Sequence, residues 1–373
     1  MMYQRYETDR IDEFLAHLAS DQQRRTQGEM SRLEKLANAL RPPVFMTEAG
    51  GQFTLQNLAF LEGNWNTCYL NGRYTSPKRE EKGNGERKEV SAVLRIPKVH
   101  ADWFYAYFDR FSRLATEELD GHLNIIRMYE YGRDGKGLPY QIFAREPADL
   151  FQVLAERQKE ANRQYTIRTD PNVAPSPKTK WDPTYFGPAE IVRKMHDLLE
   201  GAEALESLGF LQVDWKPENV LVGEDGSLIA TDLDFLLPLS ADVETVEQIA
   251  RVNTPEYRAP ETQSMKSYDV RSSIYQLGLI FHSLMTLSMV ISRNQMSEDR
   301  ETVEKAFAPA EDWLAKIYPH WIETVKKATA FAPQDRYQTF QEFREGIEAG
   351  YQSVMHPPSN VSLTPSPSAN AEQ

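Results

Sequence analysis

Cysteine is all but missing: Cys68 is the single one in 373 residues, so no internal disulfide framework can hold this chain together. Long apolar runs are missing too. None approaches the roughly 20 residues that a membrane-spanning helix requires, and the opening stretch MMYQRYETDRIDEF lacks the apolar centre of a secretory signal. Basic charge is in deficit, with 42 Lys and Arg against 55 Asp and Glu for a net −13. That balance argues against nucleic-acid partners and against adhesion to anionic membranes. These absences together predict a cytoplasmic protein without membrane insertion. A bacterial effector delivered into a host cytosol would share them, because its export signal need not be hydrophobic.

What is present is ample apolar material, 40% of the residues, enough for the core of a two-part catalytic unit with extensions. Residues 1–43 read as a helical N-terminal extension. Ile11, Phe14, Leu15 and Leu18 form one apolar stripe, Leu33, Leu36, Ala37 and Leu40 another, and Arg41-Pro42-Pro43 ends the segment. Such an extension either packs on the main domain or serves as a partner-binding arm. Residues 44–100 read as strands and turns, among them Thr67–Leu70 and Glu89–Ile96, separated by a loop at Pro77–Lys88. A helix rich in aromatics follows over Trp103–Leu119. From Asp149 onward the pattern turns helical, with Ile191–Leu208 and Ile274–Met285 as amphipathic helices. Prolines 171, 175, 177 and 183 mark an insertion over about 160–187, and the Pro- and Ser-rich tail 354–373 is expected to be disordered.

The chemistry concentrates in Val213-Asp214-Trp215-Lys216-Pro217-Glu218-Asn219-Val220-Leu221-Val222, followed by a strand at Leu228–Ala230 and then Asp232-Leu233-Asp234. Phosphoryl transfer needs a carboxylate at the attacking hydroxyl, oxygen ligands for Mg²⁺ and a cation for the migrating charge. Asp214, Lys216 and Asn219 offer those groups from one short loop, and Asp232 stands across a hairpin from them.

At this point the chain resembles the protein-kinase superfamily of the serine/threonine type, whose catalytic loop H-R-D-x-K-P-E-N is followed by D-F-G. Three further stretches arrive in family order. Thr254-Pro255-Glu256-Tyr257-Arg258-Ala259-Pro260-Glu261 is similar to G-T-P-E-Y-x-A-P-E. Ser273-Ile274-Tyr275-Gln276-Leu277-Gly278 is similar to S-D-I-W-S-L-G, and Pro333-Gln334-Asp335-Arg336 to D-P-x-x-R. The resemblance implies an α+β fold of two lobes, a β-rich N-lobe over 44–145 and an α-helical C-lobe over 146–353, with ATP and Mg²⁺ bound between them. It implies transfer of the γ-phosphate to Ser or Thr of a protein substrate. Asp214 would orient the hydroxyl and accept its proton, Lys216 would neutralise the γ-phosphate, and Thr254 would contact both. Asn219 and Asp232 would hold Mg²⁺. It also implies an ion pair between Glu261 and Arg336.

The N-terminal half fits the family pattern more loosely. Leu61-Glu62-Gly63-Asn64-Trp65 stands in the place of a glycine-rich loop and retains Gly63 alone. Ala92-Val93-Leu94-Arg95 resembles V-A-I-K, which assigns Val93 and Arg95 to the nucleotide, with Arg in place of Lys and Lys98 as an alternative. The helix glutamate that should pair this cation has no clear counterpart among Asp109, Arg113, Glu117 and Glu118. The hinge beside adenine is expected near Phe143–Pro147. Gln212-Val213 replaces His-Arg, so activity is expected not to depend on a phosphate in the activation loop. The aspartate that braces that pair is absent as well, which predicts a rebuilt brace. Asp234 replaces the glycine of D-F-G and removes backbone freedom there. These departures keep two other readings open: a pseudokinase serving as a binding or allosteric module, and a small-molecule phosphotransferase of the same fold.

Overall fold

A computed structural model describes residues 7–8, 10, 44–61, 67–77, 89–97, 102–169, 185–250, 254–264, 267–287 and 321–355. The two N-terminal apolar stripes, Gly63, Lys98, most of the proline-rich insertion and the tail beyond 355 therefore lie outside the described residues.

The chain divides into two compact units. One comprises Met1–Ala148 with Leu221–Leu236, the other Asp149–Val220 with Leu237–Gln373. The first is built on seven strands: β1 (Glu7–Thr8), β2 (Val44–Met46), β3 (Gln52–Leu61), β4 (Thr67–Thr75), β5 (Glu89–Pro97), β6 (Met128–Arg133) and β7 (Pro139–Ala144), in the order β1-β2-β3-β4-β5-β7-β6. All neighbours are antiparallel except β1 and β2. Period-two alternation decides what each face carries. On β5, Ala92, Leu94 and Ile96 enter a core with Phe53, Leu70, Tyr140 and Ile142, which sends Val93 and Arg95 to the opposite face. There lies helix α1 (Asp102–Arg113), whose Phe104, Phe108 and Phe111 are buried at helical spacing. The last part of the helix expected over Trp103–Leu119 is a π-helical turn, Leu114–Glu118.

Residues 221–236 join this first unit through backbone pairing. Ile126 N–H donates to the Ala230 carbonyl at 2.9 Å and Ala230 N–H to that of Asn124 at 2.9 Å, and the Asn124 side-chain amide adds a bond to the Leu228 carbonyl at 3.1 Å. A glycine turn makes this hairpin possible: Gly226 sits at φ 79°, a conformation costly for a side chain bearing a Cβ.

The second unit is helical: α2 (Leu150–Thr169), α3 (Pro188–Ser207), α4 (Val243–Ala250), α5 (Val270–Thr286), α6 (Ile322–Ala328) and α7 (Phe340–Met355). Helix α2 carries regular backbone into the stretch read as insertion. On α3 the expected face is buried, with Ile191, Met195, Leu198, Leu199, Ala202 and Leu205. Helix α5 starts at a capping box in which Asp269 and Ser272 bond reciprocally, and it is buried almost all round, as a central helix must be. Among the described residues no helix is long and apolar enough to cross a membrane.

His282 on α5 gives a pH-dependence to test. Burial lowers its pKa from 6.5 to about 4. Between those values the unfolded chain binds a proton that the folded chain refuses, so stability falls as pH falls. Going from pH 7 to pH 5, this residue alone is expected to remove about 2 kcal/mol. Urea unfolding at both pH values measures it, and His282→Leu should flatten the difference.

Candidate active site

Within the helical unit, Lys216 is extended and Pro217–Asn219 form a single 3₁₀ turn, with the Asn219 N–H bonded to the Lys216 carbonyl at 3.0 Å. Proline at the first position pre-sets that turn. The turn folds Asn219 back on Asp214: its amide nitrogen donates to the Asp214 carbonyl at 2.9 Å and to Oδ2 at 3.0 Å. Lys216 Nζ lies 3.0 Å from the same Oδ2. Thr254 closes the group. Its N–H donates to Asp214 Oδ1 at 2.7 Å, its hydroxyl to Oδ2 at 3.1 Å, and Lys216 Nζ donates to that hydroxyl at 2.6 Å. Asp214, Lys216, Asn219 and Thr254 thus form one network around a carboxylate fixed from several directions. With the Asn219 nitrogen committed, its carbonyl oxygen is the atom suited to a hard cation.

The loop bearing Asp214 is braced from behind by α5 and the residue preceding its cap. Gln276 accepts from the Trp215 N–H at 3.2 Å and donates to the Val213 carbonyl at 3.0 Å. Tyr268 donates to the Gln212 carbonyl at 3.1 Å and lies 2.9 Å from Gln276 Oε1, while the Ser273 hydroxyl donates to the Gln212 carbonyl at 3.1 Å. This is the rebuilt brace. An amide, a phenol and a hydroxyl hold Gln212 and Val213 ahead of Asp214 and Trp215 behind it. Gln276→Ala leaves a buried N–H and a buried carbonyl without partners, and is expected to cost about 1–3 kcal/mol. It should also slow phosphate transfer more than the loss of folded protein explains, as read by chemical denaturation beside a transfer assay.

Within the sheet unit a second charged group forms around Arg95. Strand register sets Arg95 opposite Tyr69 on β4 and opposite Gln141 on β7. The guanidinium lies over the Tyr69 ring at 5.4 Å and the Phe108 ring of α1 at 5.6 Å. Its Nη1 donates to Gln141 Oε1 at 3.1 Å and to Asp234 Oδ1 at 2.6 Å, and its Nη2 donates to Asp232 Oδ1 at 3.2 Å and to Asp234 Oδ2. The side chain is 2% exposed. Burial alone would lower the Arg95 pKa, but the facing Asp234 carboxylate and its neighbours outweigh that, and the net direction is upward. Gln141 also donates to the Phe108 carbonyl at 3.2 Å and to the Ser112 hydroxyl at 2.8 Å, which ties α1 to the cation through a neutral amide. Asp109 of α1 instead pairs with Arg133 at 2.5 Å.

Asp232 adopts a left-handed backbone, φ 55°, which Asp tolerates better than most residues. Leu233 is buried, and Phe235 packs on Phe104 and Tyr107 of α1 with ring centroids 6.0 and 5.5 Å away. Val93 is half-buried, two residues before Arg95 on the same face of β5. Sequence reading missed Asp234 and Gln141 as partners of Arg95, and Gln276 with Tyr268 as the brace. One signal was on hand for the first of these: a basic residue altered at 95 and a carboxylate gained at 234 are complementary changes.

The profile of the family described as "Protein kinase domain" matches residues 114–345. Among curated proteins, the chain is similar to the probable serine/threonine-protein kinase PknB of Corynebacterium glutamicum, 23% identical over 230 residues that make up 59% of this chain and 32% of that protein. It is also similar to serine/threonine-protein kinase Pkn1 of Myxococcus xanthus, 25% over 178 residues, 46% of this chain and 26% of that one. Serine/threonine-protein kinase PknL of Mycobacterium tuberculosis is 24% identical over 215 residues, 57% of this chain and 47% of that one. The matches thus span between a quarter and a half of the relatives' own length.

Proposed function

The chain belongs to the protein kinase family, and from that premise we propose that it transfers the γ-phosphate of ATP to serine or threonine hydroxyls of a protein substrate. The observation that carries this reading is the network of Asp214, Lys216, Asn219 and Thr254, in which every member serves the chemistry of phosphoryl transfer. Asp214 orients the attacking hydroxyl and accepts its proton. Thr254 holds that carboxylate in place, and Lys216, 3.0 Å from it, neutralises charge on the transferred group. Lysine two residues after the aspartate and a Thr-Pro-Glu-Tyr segment support protein hydroxyls as the acceptor class, as do the names of the relatives.

Asn219 and Asp232 are the candidate holders of a magnesium ion, which would supply positive charge against that of the phosphates. The donors suit it. Asn219 offers a carbonyl oxygen and Asp232 a carboxylate, both hard ligands. The Arg95 cluster sets one guanidinium against two carboxylates, so a negative charge remains for a cation at Asp232. Val93 and Gly63 are assigned to the nucleotide as apolar wall and loop.

The test is incorporation of labelled phosphate from ATP into a generic protein substrate by the purified chain. Transfer to serine and threonine supports the reading. Transfer to a small molecule alone favours the phosphotransferase alternative. Nucleotide binding without any transfer favours the pseudokinase, a reading to which the internal pairing of Arg95 lends support.

A further inference from the structure

The four Nη hydrogens of Arg95 are matched by four contacts to protein acceptors, two of them to Asp234. Its Nε is buried with no hydrogen-bond partner. A phosphate oxygen reaching this guanidinium at an Nη has to displace an acceptor already there, the Gln141 amide oxygen or a carboxylate. The bidentate pair joins β5 to the second residue after Asp232, while Asp232 itself takes the remaining Nη2 hydrogen. Leu233 between the two carboxylates is buried, and Phe235 is packed on α1. The turn is therefore held by charge on one side and by apolar contact on the other. Among the described residues no carboxylate of α1 pairs with this cation: Asp109 pairs with Arg133, and α1 reaches Arg95 through Gln141 and the Phe108 ring.

We propose that Asp234 is a positioning residue for the proposed transfer, and that with Arg95 it forms a latch presenting the Asp232 carboxylate to the metal. In this chain Asp234 takes the part that the resemblance assigns to a helix glutamate. Arg95 holds the turn and does not bind phosphate. Arginine suits that duty better than lysine, because its planar fork grips one carboxylate with two parallel bonds and still reaches a second. The inference rests on the reading of Asp232 as a metal ligand.

The experiment measures ATP affinity by calorimetry on the full chain, with Mg²⁺ and with EDTA, for wild type, Asp234→Asn, Arg95→Met and the double variant. The latch acts through the metal carboxylate. Each single variant is therefore expected to lower affinity for Mg·ATP by about 10–100-fold while leaving metal-free ATP binding unchanged. The double variant should be no worse than the worse single one. Asp234→Glu, which keeps the carboxylate, should retain more of the Mg²⁺-dependent gain than Asp234→Asn. If Arg95→Met weakens metal-free ATP binding and Asp234→Asn does not, Arg95 is a phosphate ligand and the proposal is overturned. A wild-type chain whose ATP affinity is indifferent to Mg²⁺ refutes the functional reading itself, and the latch with it. Gain in the wild type that persists in Asp234→Asn refutes the latch alone. Should a single variant fail to fold, Arg95→Lys and Asp234→Glu carry the same comparison with charge preserved.

Discussion

Asp214→Ala is expected to lower the rate of phosphate transfer by about 10²–10⁴-fold, the range associated with loss of a positioned proton acceptor, while Mg·ATP still binds. The alanine variant does more than remove a base. It leaves the Thr254 N–H and hydroxyl, the Asn219 amide and Lys216 without the acceptor they share. Asp214→Asn is the companion variant, because its carbonyl oxygen can still accept from Thr254 while the negative charge is gone. Both should be inactive if the charge is what matters, and the asparagine variant should be the more stable of the two. Asp232→Ala is expected to lose Mg²⁺-dependent binding as well, since that carboxylate is assigned to the metal. Transfer of labelled phosphate and calorimetric ATP binding, measured on the same preparations, separate the two outcomes. Full activity in Asp214→Ala would overturn the role assigned to it.

Glu261→Ala is expected to cost about 3–5 kcal/mol, the penalty for stranding a buried charge. Arg336 donates to Glu261 through Nη1 at 2.8 Å and Nη2 at 2.7 Å, and to the carbonyls of Ala330, Arg271 and Phe331 at 2.7, 3.0 and 2.9 Å. Its guanidinium lies 4.8 Å from the Tyr275 ring centroid, and the Ser272 hydroxyl donates to the same glutamate at 2.7 Å. One side chain thus gathers the segment after Thr254, the start of α5 and the turn before α7. A domain is stable by only about 5–15 kcal/mol, so losing this pair takes a large share. Arg336→Lys should also be damaging, because an ammonium cannot reproduce two parallel bonds to the carboxylate together with three carbonyl contacts. The double change Glu261→Leu with Arg336→Met is expected to cost less than the sum of the singles, since no charge is left stranded. Urea unfolding of the four proteins measures this. A cost below about 1 kcal/mol for Glu261→Ala would place the pair among ordinary surface ion pairs.

The two halves of the chain were not equally readable. Asp214, Lys216, Asn219 and Thr254 could be picked out because a proton acceptor, a cation and oxygen ligands must sit at fixed offsets on one tight loop. That demand leaves a literal trace in the order of residues. Glu261 and Arg336 could be paired across 75 positions for a similar reason, since each stands inside a recognisable stretch. The sheet unit constrains its residues differently. A strand position asks only for a side chain of suitable size on the correct face, and Ala92, Leu94 and Ile96 meet that demand without announcing chemistry. The family profile begins at residue 114, after β5 and α1, where such freedom is greatest. Arg95 was found by its place in a strand, yet its partner lies 139 positions away, at a site where the family pattern leads one to expect glycine. Asp234 was read as a loss of backbone freedom, and its charge was overlooked. The brace was foreseen as a need but not as a set of residues, because Gln276 makes the bonds with two ends of one neutral amide and no motif marks it.

That neutrality has a consequence for regulation. The groups that steady the loop around Asp214 are Gln276, Tyr268 and Ser273, and burial drives the Tyr268 phenol well above its usual ionisation range. Nothing in this scaffold gains or sheds charge near neutrality, and dissolved ions have little field there to screen. The brace behind the reacting loop is therefore as firm in brine as in dilute buffer. Control by pH or by salt has to act somewhere other than this brace.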